Sequence, residues 1–200
     1  MLSFLSNGPV YLGSSSPRRK ELFAYLFSSF QILTSKDELL RDSGMGGDFA
    51  LENAQYKSRC IQNTHQLGAG FLFCFDTVVA LGDRLFGKYA TKEEAFEALK
   101  LLSGKTHQVH TGVSLVSGDG TELLNKFYTT EVEFFDLPSQ LVYCWLDKDN
   151  FQDKAGAYAI QDLSSCFIRR IQGCYYNVMG LPAPQLLHDL LELGHCRFSR

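Results

Sequence analysis

The chain has 200 residues, 45% of them hydrophobic and 20% charged, with a formal net charge of −3. That length buries about 70% of the unfolded surface, enough for a core without a metal or disulfide staple, and it reads as one domain over residues 1–200, or one pinched into two lobes. The mild acidity argues against a protein that coats nucleic acid, and no run approaches the ~18 apolar residues of a membrane span.

In chain order, Val10–Gly13 reads as a short strand that runs into the turn Ser14-Ser15-Ser16. Pro17 opens a helix with Ser16 as its N-cap, and Leu22, Phe23, Leu26 and Phe27 form its apolar stripe. Phe30–Leu33 is the second strand. A glycine-rich loop over residues 41–48 leads to a helix that ends near Gln62, with Asp48 as its cap. Phe71–Phe75 is a continuous apolar strand, resumed at Val78–Leu81 after the interruption Asp76-Thr77. Thr91-Lys92-Glu93-Glu94 is a capping box that starts a helix stopped by Gly104. Residues 109–115 and 128–134 alternate apolar and polar around the turn 117–120 and predict a hairpin. A helix over 139–146, a strand near 167–171 and a helix over 184–193 close the pattern. The fold class is α/β with a mixed sheet and flanking helices.

The six cysteines contain no C-x-x-C pair, and Met1–Leu12 has no basic residue ahead of its apolar stretch. Reduced thiols in a cytoplasmic protein are therefore expected, with neither zinc ribbon nor secretory signal. His107 and His110 differ by an odd number along a strand, so they face opposite ways; all five histidines are read as structural or solvated.

Two places are chemically odd. Arg18, Arg19 and Lys20 crowd a helix N-terminus that already carries partial positive charge. An anion bound by backbone N–H groups, serine hydroxyls such as that of Ser14 and the arginine forks would resolve the conflict; cations turned to solvent would do so equally. Asp76 interrupts the apolar strand, where a carboxylate serves as metal ligand or base, or as a buried group bonded to a turn. Lys88 and Lys154 stand in loops, and Gln161 ends the apolar segment 155–160. Together these residues suit a phosphorylated substrate with a divalent metal.

Ser14–Arg19 with Glu21-Leu22, Asp76–Val79, Leu102–His107, Asp153–Gln161 and Asn177–Pro182 together resemble the signature blocks of the Maf-like nucleoside triphosphate pyrophosphatases. The resemblance implies a two-lobed α/β fold like that of the inosine triphosphate pyrophosphatases, with a central cleft, a homodimer, and a divalent cation (Mg²⁺, alternatively Mn²⁺ or Co²⁺). It implies Asp76 as proton acceptor and metal-side residue, and Glu38 as a second acidic metal-side residue. Arg19, Lys57, Lys88 and Lys154 would hold the polyphosphate, Ser14 would bind the substrate, and Arg18, Thr77 and Gln161 would choose it. Ser-Pro-Arg-Arg, Asp-Thr and Ile-Gln resemble the branch acting on dTTP and UTP, and a neutral amide at Gln161 can pair with a uracil or thymine imide edge. A preference for another modified or methylated purine nucleotide, or a non-catalytic nucleotide sensor in cell division, are the alternatives. Phe75, Cys74, Tyr89 and Asp162 depart from the family pattern; Phe75 is expected to reshape the cleft, and Asp162 to add negative charge near a polyanion.

Overall fold

The computed structural model describes residues 2–4, 8–35, 37–41, 43–148, 151–194 and 196–198. The elements are β1 (Leu2–Phe4), β2 (Val10–Gly13), α1 (Pro17–Ala24), β3 (Gln31–Ile32), α2 (Gly46–Thr64), β4 (Phe71–Leu81), β5 (Arg84–Phe86) and α3 (Lys92–Leu102). They continue with β6 (Thr106–Ser117), β7 (Glu122–Phe134), α4 (Ser139–Lys148), β8 (Ile168–Gln172), α5 (Tyr175–Val178), α6 (Ala183–Glu192) and β9 (Cys196–Phe198). Among the described residues the main sheet runs β3-β2-β4-β6-β7-β8, with β5 added beside β4. β2 is parallel to β3 and β4, and the remaining pairs are antiparallel, so the sheet is mixed as expected.

β4 is the axis of the molecule, and its period-2 alternation sorts the core. On one face Phe71, Phe73 and Phe75 pack under α1 and α6, while Val79, further along, joins a second cluster with α3 and α4. On the other face Leu72 and Cys74 meet Ile61 of α2, and Val78 and Ala80 meet Phe49 and Ala50 of the same helix. Each fully buried phenylalanine here contributes about 1.5–3 kcal/mol. Asp76 and Thr77 fall between the clusters, one on each face. Sequence places a break at this pair, but the strand is unbroken: Asp76 registers with Gly112 and Thr77 with Thr111 across β6. Side-chain partners satisfy both residues, so the backbone ladder continues through them.

Gly112 is what lets α2 lie this close. A Cβ there would stand 2.2 Å from the Ala50 carbonyl oxygen and 2.5 Å from the Leu51 nitrogen, both backbone atoms that cannot rotate away. Gly112→Ala is therefore expected to cost about 1–3 kcal/mol, the scale of forced overpacking. Urea titration checks it, and an unchanged midpoint would mean that α2 can retreat freely.

Local chemistry sets several boundaries. Ser16 Oγ accepts from the Arg19 amide with Pro17 at the first helical position, as the sequence predicts. The Thr91–Glu94 capping box is present on both sides. Other expectations need correction. Asp48 is not the cap of α2: Met45 holds that position, and Asp48 lies inside the first turn. α1 stops at Ala24, although Leu26 and Phe27 stay buried in the turn beyond it. The strand predicted over 30–33 shrinks to two exposed edge residues. β1 and β9 pair antiparallel, joining the two ends of the chain, which sequence did not predict.

The six cysteines are free thiols. Among the described histidines, His107 and His110 are buried and bonded to Tyr158 and Thr129. Burial holds the His107 pKa down near about 4, so it stays neutral. No described helix is long and apolar enough to cross a membrane.

Candidate active site

The buried stripe of α2 runs Phe49, Ala50, Asn53, Ala54, Lys57, Ser58 and Ile61. Lys57 is the exceptional member, because a buried ammonium needs a counter-charge. It has two. Lys57 Nζ donates to Asp76 Oδ1 at 2.6 Å and lies 2.8 Å from Glu38 Oε1. The same Glu38 carboxylate also accepts from Lys88 Nζ at 3.4 Å. Partial burial pushes the Glu38 pKa up, but Lys57 and then Lys88 outweigh it and hold the carboxyl below the ordinary range. Asp76 Oδ2 has no hydrogen-bond partner among the described residues.

On the other face of β4, Arg19 is fixed on all sides. Its Nε donates to the Gly180 carbonyl at 2.8 Å, Nη2 to Thr77 Oγ1 at 2.9 Å and Nη1 to Ser14 Oγ at 3.3 Å. Thr77 meets Thr111 Oγ1 at 3.0 Å, and Thr111 donates to the Asn177 carbonyl, so a relay of hydroxyls anchors the guanidinium to the sheet. Arg18 turns the other way and grips Asp153 through its carboxylate (2.9 Å) and its carbonyl (3.2 Å). Lys154 Nζ lies 3.1 Å from Asp153 Oδ1 and 3.5 Å from Asp162 Oδ2. The cation crowding at the start of α1 is thus partly met from within the chain, by a carboxylate.

These groups line one cleft of about 510 Å³ that reaches from Gly13–Arg19 to Tyr158–Gln161 and Val178–Gly180. All the predicted site residues border it: Ser14, Arg18, Arg19, Glu38, Lys57, Asp76, Thr77, Lys88, Lys154 and Gln161. Its titratable lining holds five cations, Arg18, Arg19, Lys57, Lys88 and Lys154, against the three carboxylates Glu38, Asp76 and Asp153. A chain with net charge −3 therefore carries a basic cleft. Asp153, Thr111 and Asn177 were not given roles from sequence. Asp153 was a sharper omission, since an acidic residue beside Lys154 is an ion-pair candidate on its face.

Asp76, from β4, and Glu38, from the segment between β3 and α2, converge on one ammonium. No group of three His, Cys, Asp or Glu side chains able to hold a metal forms among the described residues. Two carboxylates suit Mg²⁺, which keeps waters and takes much of its coordination from substrate phosphates.

The family model described as Maf-like protein matches residues 9–193. This chain belongs to the Maf-like family. Its relatives include the dTTP/UTP pyrophosphatase of Carboxydothermus hydrogenoformans, 36% identical over 188 residues that cover 93% of this chain and 99% of that one. The dTTP/UTP pyrophosphatase of Thermococcus gammatolerans is 37% identical, covering 96% and 100%, and that of Bacillus anthracis 37% identical, covering 92% and 95%. The structure of the Staphylococcus aureus Ham1 protein shares the fold, with a TM-score of 0.52 and 16% identity over 92% of this chain and 98% of that one.

Against the Maf-like pattern, two of this chain's departures are benign. Phe75 does not reshape the cleft: it is fully buried against Phe23 and Phe73, on the core side of β4. Cys74 fills the space that Gly13 leaves, since a Cβ at position 13 would stand 2.3 Å from its sulfur. Burial pushes that thiol up to about 12, so it is chemically quiet. Tyr89 packs at the edge of the α3–α4 cluster. Asp162 does bear on the site, through Lys154.

Proposed function

We propose that this chain hydrolyses dTTP or UTP to the monophosphate and pyrophosphate, as a cytoplasmic homodimer, with Mg²⁺ or else Mn²⁺ or Co²⁺ as cofactor. The observation that carries the reading is Lys57, buried between Asp76 and Glu38 in a cleft whose remaining charged lining is four cations against Asp153. The names of the relatives supply the nucleotide class. Ser14, Arg19, Lys88 and Lys154 bind the polyphosphate, by charge and by forked hydrogen bonds. Asp76 accepts the proton of a water through Oδ2 as that water attacks the α-phosphorus. The bond from the α-phosphorus to the bridging oxygen breaks, and pyrophosphate leaves with its charge met by the cations. Lys57 holds Oδ1, which fixes the direction of Oδ2. Asp76 and Glu38 would hold the divalent cation, which when bound neutralises phosphate charge. Arg18, Thr77 and Gln161 set substrate choice.

The test is a panel of pyrimidine and purine triphosphates, 7-methyl-GTP included, with Mg²⁺, with both products identified. Pyrophosphate release from dTTP and UTP is expected to exceed that from purines by at least about tenfold in kcat/KM. Equal rates on purines would overturn the substrate class. Tight dTTP binding without turnover would overturn the enzyme reading in favour of a sensor. A light-scattering mass of 22.5 kDa alone would remove the dimer.

A further inference from the structure

Asn53 stands one helical turn before Lys57 on the same face of α2, and it is almost fully buried. It is a poor choice for that place on local grounds. Asparagine is a weak helix former, and a buried carboxamide costs free energy unless its hydrogen bonds are made. Both are made here, and both go to a single residue outside the helix. Asn53 Oδ1 accepts from the Leu39 amide at 2.8 Å, and Asn53 Nδ2 donates to the Leu39 carbonyl at 3.3 Å.

Leu39 follows Glu38 directly. The segment between β3 and α2 has no helix or strand among its described residues, only an isolated bridge from Ser43 to Arg84. Glu38 itself is 38% exposed, and among the described residues its carboxylate is held by Lys57 and Lys88. Nothing in the backbone regularity of this segment keeps that carboxylate over the cleft. We propose that Asn53 is the positioning residue of the site: by clamping the Leu39 backbone from both sides, it sets Glu38 on Lys57. Two side chains four residues apart on α2 then share the work. Asn53 grips the backbone of the segment, and Lys57 grips its carboxylate and that of Asp76. The site gains a preorganised second acid without a regular element to carry it.

The proposal rests on the pyrophosphatase reading for its kinetic consequence, not for its geometry. Asn53→Leu keeps the volume and removes both bonds. Three variants, Asn53→Leu, Glu38→Gln and the double, are compared with the parent for pyrophosphate release from dTTP across a Mg²⁺ series. Amide hydrogen exchange over residues 37–41 is followed without ligand. Asn53→Leu is expected to lower kcat about tenfold while adding no more than about twofold to the loss in the Glu38→Gln background, because coupled residues are non-additive. The Leu39 amide is expected to exchange at least about tenfold faster, with exchange at Lys57 unchanged.

A loss of equal size in both backgrounds, or a parental kcat, would show that Asn53 serves stability alone and overturn the proposal. If Asn53→Leu does not fold, Asn53→Ser, too short to span both Leu39 atoms, takes its place in the same cycle. If the parent itself turns over no nucleotide, the function proposed above fails. Exchange then decides the clamp: faster at Leu39 supports it, and unchanged overturns it.

Discussion

Asp76→Asn is expected to fold as the parent does and to release pyrophosphate from dTTP at least about a hundredfold more slowly, the usual scale for losing a general base or metal ligand. The substitution is isosteric. Its carbonyl oxygen can still accept from Lys57 Nζ, which also keeps Glu38 as a counter-charge, so the buried ammonium is not orphaned. The register of Asp76 with Gly112 is a backbone matter and is untouched. What the amide cannot do is take a proton from water or bind a cation as an anion. A thermal melt by circular dichroism and a coupled pyrophosphate assay check the two halves. Parental turnover in the variant would remove Asp76 from the chemistry and leave it as a structural partner of Lys57.

The same residue shows where sequence reasoning stops. The helix start at Ser16-Pro17 and the capping box at Thr91–Glu94 were legible because their partners lie within four residues. Asp76-Thr77 was legible as a chemical oddity but not as a structural one. A polar pair inside an apolar run suggests a broken strand when viewed alone. The strand continues because Lys57 answers Asp76 from 19 residues away and Arg19 answers Thr77 from 58. No local pattern carries those distances. Lys57 was visible only through family resemblance, since one lysine in a helical stripe looks like a solvated one. Asn53 was missed altogether, for the same reason. Phe75 shows the opposite error: next to the key aspartate in sequence, it faces away from it because alternate strand residues point to opposite faces. The pairing of β1 with β9 escaped because three-residue strands carry no period to read.

Lys57→Met should be the most damaging single change to the cleft. Methionine fills the space of the lysine stem, so the loss is chiefly one of charge. Asp76 and Glu38 would then face each other across an apolar thioether. Removing one partner of a buried ion pair costs about 3–5 kcal/mol, and water entering from the cleft places this case near the lower end. The pH dependence has a definite sign. In the parent, Glu38 titrates below its unfolded value. Its ion pairs therefore add stability at neutral pH, and that stability is lost as the pH falls through the folded value. In the variant the upward push of burial is opposed by Lys88 alone, so the Glu38 pKa rises and this contribution shrinks or reverses. The stability deficit of Lys57→Met is thus expected to be largest near pH 7 and smaller near pH 4, where acid begins to discharge Glu38 in the variant. Urea titrations at the two pH values measure it, and an equal deficit at both would mean that Lys57 acts through packing and not through its charge. Turnover on dTTP should fall at least about a hundredfold as well. The incoming polyanion would meet four cations and three carboxylates in place of five and three, with the fixed orientation of Asp76 lost.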